Sequence, residues 1–460
     1  MRVAGIITEY NPLHRGHLRL VETVRRKLGG DAAIVCCMSG DFVQRGDFAV
    51  VRRQARAKAA VMSGADLVLE LPLFQSVSSA EGFAEGGVGL LLATGVVDTI
   101  AFGSERGNTD ALQEAAAVLL RENFSAALRE ELAAGISYPA ARQRAVSRLA
   151  GSDVADVLSR PNDLLGVEYC KSLLRRASRV RPMAVLRTGA PHGQDAPPVR
   201  ENVPMLAAES AFPGAAPLAL SLSTDAAPPD CGNAASCSPD APQCPDAVSL
   251  ASSTAIRALL RRGERAAALS LMAPAMRDCY LEEEAAGRAP VFYEAVERAI
   301  LYRLRTMDRA DFAALDGGRE GLGNRLYEAS RNAVSVREAL ERAKTKRYPL
   351  SRLRRMALWA FLGLTDSDTA RRPAYLRPLA MNAVGRGLLA RMRTCAALPV
   401  LTKAGDVAAL GSDAEALLRL EARAADLYAL AFPSAAAMSG GAVWKEPPFI
   451  TDGPFGKDVP

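Results

Sequence analysis

An α/β fold built on a doubly wound parallel sheet, followed by a mostly α-helical C-terminal domain, is what this sequence predicts. Three observations carry the expectation. Short apolar runs alternate with helical patterns through the first 190 residues, a polar turn follows each run, and beyond about residue 265 a helical period takes over.

The first unit is RVAGIIT at 2–8, a strand, then a polar turn and a helical pattern with Leu20, Val21, Val24 and Leu28 on one face. The order recurs with AAIVCCM at 32–38 before a helix through Arg56 to Met62, then DLVLEL at 66–71 before another helix, then DTIAF at 98–102. Helical segments are expected from about Thr109 to Arg176, and MAVLR at 183–187 reads as one more strand. Sheets wound this way bind ligands beyond the carboxyl ends of their strands. The loops after Thr8, Met38, Leu71 and Phe102 are therefore expected to converge.

From 191 to 249 the composition turns to Ala, Pro, Ser and Asp, as in DAAPPDCGNAASCSPDAPQCPD, which cannot build a packed core. Cys231, Cys237 and Cys244 are widely spaced there with no histidine near, so the segment reads as a disordered insertion rather than a metal site. ASSTAIRALLRR at 251–262 then restarts a helix behind a hydroxyl-rich cap. The expected organisation is a first domain over 1–190, the insertion over 191–249, a segment at 250–263 completing the first domain, a helical basic domain over 264–436 and a loose tail over 437–460.

With 460 residues, 49% apolar and 23% charged, the chain can bury sizeable cores. No apolar run reaches the roughly 20 residues that span a bilayer, so no membrane role or export is expected. Eight cysteines without a CxxC pair point to a reducing, cytoplasmic setting. The net charge of +6 is mild but uneven. In ERAKTKRYPLSRLRRM, Glu341 to Met356, seven basic residues stand against one acid, Lys344, Lys346, Arg347, Arg352, Arg354 and Arg355 among them. Such a stretch is either a surface for polyanions such as RNA or a solvated helix face.

Two of the three histidines, His14 and His17, fall in ITEYNPLHRGHLRL at 7–20, the first strand-to-helix turn. Asn11-Pro12 keeps the preceding segment out of helix, and Gly16 lets the backbone approach a ligand. Unpaired N–H groups and the dipole make a helix start an anion site, to which two imidazoles add donors. The turn suits phosphates. A zinc pair, a structural pair and chance are the alternatives, although His-x-x-His without a Glu or Cys ligand in the same element is a poor zinc signature. Neither a Walker A nor a Gly-x-Gly-x-x-Gly sequence is present.

HxGH directly after a first strand resembles the Rossmann-like nucleotidyltransferase superfamily, in which this turn binds ATP and stabilises attack at its α-phosphorus. SSTAIR, Ser252 to Arg257, resembles that superfamily's second motif, which contacts the β- and γ-phosphates. Blocks in order extend the resemblance to one family, the bacterial tRNA(Met) cytidine acetate ligases. They are GIITEYNPLHRGHLRL, SGDFVQRGDFAVV, GADLVLELP, IAFGSE, RPNDLLGVEYCKSL, SSTAIR, and EGLGNRL with KTKRYPLSRLRR. They cover nearly the whole chain apart from the insertion and tail.

The resemblance implies that ATP activates acetate to acetyl-adenylate, releasing pyrophosphate, and that the acetyl group passes to N4 of the wobble cytidine of elongator tRNA(Met). It implies ATP contacts from Ile7, Thr8, Glu9, Tyr10, Asn11, Pro12, Leu13, His14, Arg15, Gly16, His17, Leu18, Arg19 and Leu20, with His14 and His17 catalytic. Further contacts are implied from Gly103, Asn162 and Arg187, and from Ser252, Ser253, Thr254 and Arg257. Taken alone, Asn162 also reads as a helix cap and Arg187 as a surface charge. The implied partners are elongator tRNA(Met), gripped by the basic helical domain, and acetate, with no obligate protein partner evident. ATP is the implied cosubstrate; the sequence shows no site for Mg2+ and does not exclude the ion. One departure stands out. Arg52 and Arg53 occupy positions where the family usually shows an Asp-Lys pair. The competing readings are a small-molecule adenylyltransferase acting on a coenzyme precursor and a nonenzymatic RNA-binding protein.

Overall fold

Strands β1 (Val3–Thr8) and β2 (Ala33–Ser39) are buried along their whole length. That is the consequence of unbroken apolar runs, which a parallel sheet covered by helices on both faces requires. The computed structural model describes residues 1–187, 251–319, 321–345 and 348–452. The expected insertion over 191–249, its three cysteines, and Lys346 and Arg347 lie outside the described residues.

A two-stranded hairpin, β3 (Phe42–Val43) with β4 (Asp47–Phe48), follows β2. The main sheet continues with β5 (Leu67–Leu71), β6 (Thr99–Ser104), β7 (Arg181–Leu186), β8 (Pro378–Met381) and β9 (Phe449–Ile450). Its order is β7-β6-β1-β2-β5-β8-β9. The first five of these are mutually parallel, β8 pairs antiparallel with β5, and β9 runs parallel to β8. The chain winds outward from β1 through β2 to β5 and then returns to the other edge of β1 as β6. That reversal opens a crevice beyond the carboxyl ends of β1 and β6.

Helices cover both faces. On one, the helices Ala80–Ala93 and Pro161–Arg175 contribute Phe83, Leu91, Val167 and Leu173 to a core with Val35, Leu69 and Ile100. On the other, the helix Arg15–Leu28 buries Val21 and Val24, and Ile256 and Leu260 of the helix Ser253–Arg261 join the same core beside Ala4, Ile34 and Val68. A third core gathers the helices Glu297–Thr306, Leu322–Asn332, Val336–Ala343 and Leu350–Leu362 around Trp359, which is fully buried and donates from Nε1 to the Val77 carbonyl at 2.8 Å. No helix among the described residues is long and apolar enough to cross a membrane.

Two features differ from the sequence reading. The stretch expected to be almost wholly helical contains β8, because PLAM at 378–381 takes its conformation from pairing with β5, a partner distant in sequence. The segment expected as a loose tail carries the helix Ala442–Lys445 and β9, with Phe449 lying under the Lys58 ammonium at 5.7 Å. Short elements held by distant partners leave no periodic signal.

The Arg52–Arg53 pair has a structural role. Arg52 bonds Glu283 at 2.7 Å and also Glu446, and buried Arg53 pairs with Asp41 at 2.9 Å and Glu70 at 3.3 Å. Arg53 belongs to a buried cluster in which Arg377 bonds Glu70 at 3.0 Å and Tyr375 donates to Glu421 at 2.8 Å. Burial, reinforced by Glu70 and opposed by Arg377 and Arg53, pushes Glu421 up to about 7 from 4.5. The folded chain therefore holds a proton that an unfolded glutamate releases, and stability falls as pH rises between those values. Urea unfolding at a series of pH values is expected to show this fall in the wild type and a flatter profile in Glu421→Gln.

Candidate active site

The β1 turn is held largely by side chains that bond backbone. Tyr10 adopts φ +48, a left-handed conformation unusual for a bulky residue, and its ring stands edge-on to His17 at 5.0 Å. Asn11 Oδ1 accepts from Val50 N–H at 2.8 Å. Arg56, fully buried, donates to the carbonyls of Val51 at 2.7 Å, Glu9 at 2.5 Å, Ser39 at 3.2 Å and Gly40. It thereby ties the carboxyl ends of β1 and β2 together.

His14 and His17 cap the helix Arg15–Leu28 reciprocally. His14 Nδ1 accepts from Gly16 N–H at 3.1 Å, and His17 Nδ1 accepts from His14 N–H at 3.2 Å. A nitrogen that accepts carries no proton, so in each neutral ring the proton sits on Nε2. The caps thus present two donors. The rings lie 3.9 Å apart. A side chain at Gly16 would come within 2.9 Å of the His14 ring, so this glycine makes room for the imidazole.

A second helix start meets the same turn. Ser252 caps the helix Ser253–Arg261 by accepting from Ala255 N–H at 3.2 Å, and Ser253 donates to the Pro12 carbonyl at 3.1 Å. Arg257 donates to the Asn11 carbonyl at 2.6 Å and to Thr254 Oγ1 at 3.4 Å. Burial lowers its pKa, opposed by nearby Asp47 and Glu9. Two buried donors here, Asn11 Nδ2 and Arg257 Nε, lack a partner among the described residues.

Across the crevice, Gly103, the penultimate residue of β6, lies beside the Arg187 side chain, 3.2 Å from where a Cβ would stand. Asn162 is not a helix cap. Arg160 holds that position and Pro161 opens the helix, while Asn162 Nδ2 bonds Glu105 at 2.6 Å and its Oδ1 accepts from Arg187 at 3.5 Å. Glu105 also takes the Asp163 N–H at 2.9 Å, and Asp163 in return accepts from Ser104 at 2.5 Å and from Glu105 N–H at 2.9 Å.

One cleft collects most of the expected positions: Ile7, Thr8, Glu9, Tyr10, Asn11, His14, His17, Leu20, Gly103, Asn162, Arg187, Ser253, Thr254 and Arg257. Pro12, Leu13, Arg15, Gly16, Leu18, Arg19 and Ser252 are not in its wall; Leu13 is core and Ser252 acts as the cap just described. The loop after Leu71 does not reach it either, since Leu71 borders a small internal cavity beside Arg53 and Glu70. The sequence reading missed Gln44 and Arg45, brought in by the β3–β4 hairpin, and the apolar wall of Phe83, Phe102, Leu165 and Tyr169. Gln44 and Arg45 sit within the SGDFVQRGDFAVV block, where their adjacency to Gly46 was the available signal.

A family model described as HIGH Nucleotidyl Transferase matches residues 1–201 and 241–441. The tRNA(Met) cytidine acetate ligase of Acetivibrio thermocellus is 32% identical, over 96% of this chain and 98% of its own length. The chain belongs to that family. The ligase of the same name from Thermotoga maritima is 32% identical over 93% of this chain and 95% of its own length. The crystal structure of Thermotoga maritima TmcAL bound with alpha-thio ATP superposes with a TM-score of 0.82 at 29% identity, covering 98% of this chain and 99% of that one.

In this member of the acetate ligase family the basic stretch is not one uniform face. Lys344 and Arg354 are exposed, whereas Arg352 bonds the Gly317 carbonyl at 3.2 Å and lies over the Tyr348 ring. Burial lowers the pKa of Arg355, opposed by Asp316. Replacing Arg56 by methionine, which keeps the bulk and leaves four carbonyls without their donor, is expected to cost about 3 kcal/mol or more in urea unfolding.

Proposed function

We propose that the cleft binds ATP and acetate, forms acetyl-adenylate with release of pyrophosphate, and passes the acetyl group to N4 of the wobble cytidine of elongator tRNA(Met). The observation that carries the ATP half is the convergence of two helix N-termini, two imidazoles and Arg257 on one turn, where Asn11 Nδ2 and Arg257 Nε are buried without a partner among the described residues. Preorganised donors of this kind stabilise charge developing on phosphate oxygens. The names of the relatives supply the acceptor, and ATP is taken as cosubstrate in keeping with the analogue bound by the Thermotoga maritima protein.

In this reading an acetate oxygen attacks the α-phosphorus and the bond to pyrophosphate breaks. His14 and His17 donate from Nε2 to the phosphate oxygens, and Arg257 with Ser253 and Thr254 holds the leaving pyrophosphate. Gly103, Asn162 and Arg187 hold the nucleoside end, with Phe102 and Tyr169 excluding water. Positioning and charge stabilisation suffice, and no covalent protein nucleophile is needed. The cytidine amine then attacks the acetyl carbonyl, AMP leaves, and the amine loses a proton; the base must be unstacked to reach the mixed anhydride. Residues 1–190 and 250–263 handle ATP in this scheme, and 264–436 grip the RNA from the cytoplasmic pool.

Nucleoside mass analysis of unmodified elongator tRNA(Met), incubated with the protein, ATP and acetate, is expected to show N4-acetylcytidine that requires both small molecules and disappears in His17→Ala. ATP cleavage without acetylcytidine would move the acceptor elsewhere, and no ATP chemistry would overturn the reading. His14→Asn retains a side-chain oxygen able to cap the helix, so unfolding stability should change by no more than about 1 kcal/mol. Loss of the imidazole donor should lower acetate-dependent ATP–pyrophosphate exchange roughly a hundredfold or more.

A further inference from the structure

The β3–β4 hairpin does more than close the cleft. Its tip, Arg45-Gly46, lies between the cleft and the start of the helix Leu350–Leu362. Gly46 adopts φ +75, and a Cβ there would fall 2.4 Å from Arg355 N and 2.6 Å from the Arg354 carbonyl carbon. Backbone therefore packs on backbone, and the exposed Arg45 and Arg354 side chains flank the junction. Arg261 fastens the neighbouring edge, pairing with Asp47 of the hairpin at 3.7 Å and with Glu294 at 3.3 Å, its guanidinium 4.4 Å over the Phe292 ring. Tyr293, half-buried in the same turn, is within electrostatic reach of both Arg354 and Arg261.

Charge at this rim is unbalanced. Arg45, Arg257, Arg261, Arg354 and Arg355 face Asp47 and Glu294, with Glu9 near Arg257 and Asp316 near Arg355, and Arg45, Arg354 and Arg355 make no ion pair among the described residues. Arginines that leave their charge unmatched along a strip, rather than in a closed pocket, suit a chain of phosphates. An aromatic ring beside them suits an unpaired base, since single-stranded RNA is held by stacking together with backbone charge. Arginines from segments far apart in sequence form the strip, which begins at the cleft wall with Arg45 and leads away from it to Arg354.

We propose that this rim docks the unpaired nucleotides of the acceptor RNA next to the cleft, with phosphates on Arg45 and Arg354 and a base against Tyr293. The proposal rests on an RNA acceptor as set out above. The hairpin thereby becomes a positioning element, because a nucleotide seated on the rim is already at the mouth of the cleft where the activated acetyl group forms.

The test measures binding of an unmodified elongator tRNA(Met) transcript by the full chain over a range of salt concentrations, with acetate-dependent ATP–pyrophosphate exchange measured on the same preparations. Arg354→Ala is expected to weaken binding and to reduce the slope of log affinity against log salt by about 0.7 to 0.9, the value for one lost phosphate contact. Arg354→Lys should restore the slope. Tyr293→Leu should weaken binding roughly tenfold or more with the slope unchanged, as loss of one stacked base does. Arg391→Ala, an exposed arginine on the helix Ala383–Cys395, serves as the control and should change neither quantity. Exchange should persist in all four. Unchanged binding and slope in Arg354→Ala and Tyr293→Leu would overturn the rim, as would a parallel loss of exchange, which would place these residues in the ATP step or in the fold. A wild type that binds the transcript with these variant effects but catalyses no exchange would refute the acetate-activation reading and leave the rim standing.

Discussion

The Arg56 guanidinium is the constraint on which the site depends. It is fully buried, has no carboxylate within hydrogen-bond distance among the described residues, and directs its donors to four backbone carbonyls from three separate segments. The carboxyl end of a parallel strand leaves carbonyls without ladder partners just where a ligand crevice opens, and a buried unpaired carbonyl is costly. Five donors fixed in one plane resolve this for β1 and β2 together. The Glu9 end of the β1 turn and the Gly40 loop that leads into the β3–β4 hairpin are thereby set relative to each other before any ligand arrives. Lysine would offer a point charge without that fork.

The paired histidines serve two ends at once. A helix start usually recruits Ser, Thr or Asp to satisfy its free N–H groups; an ionised Asp has no proton to donate, and a hydroxyl donates only from the same atom that caps. Imidazole has two nitrogens, so accepting at Nδ1 leaves a donor at Nε2. The same hydrogen bonds that stabilise the helix also fix the tautomer and the ring orientation at the cleft wall. Local structure and chemistry are here a single arrangement of atoms.

Much of this was legible in the sequence because the relevant signals were local. HxGH after an apolar run marked the first strand and the helix start, and SSTAIR marked the second. The apolar runs placed β1, β2, β5, β6 and β7 to within about two residues at most ends, the limit usual for such boundaries. Asn162, Arg187 and Gly103 gave no comparable local reason, and only the family resemblance singled them out. What was not legible depends on distant partners. β8 and β9 are strands only because β5 offers an edge, and Arg45 reaches the cleft only because the residues on either side of it pair as a hairpin. The Arg52–Arg53 departure likewise became intelligible only once Glu283, Glu446, Asp41 and Glu70 were in place around it.

The antiparallel addition of β8 to β5 also orders events in time. β5 is buried along its whole length and apolar at Leu67, Val68, Leu69 and Leu71, the kind of strand whose open edge recruits other chains. During synthesis the residues that cover that edge emerge some three hundred positions later, after the helices that follow the first domain. Until then the nascent sheet has an exposed, sticky margin. Long-range pairing of this sort is slow to form and leaves a window for aggregation. The burden of protecting the growing chain therefore falls on the interval between residues 71 and 378, which makes that interval the place where chaperone dependence would be concentrated.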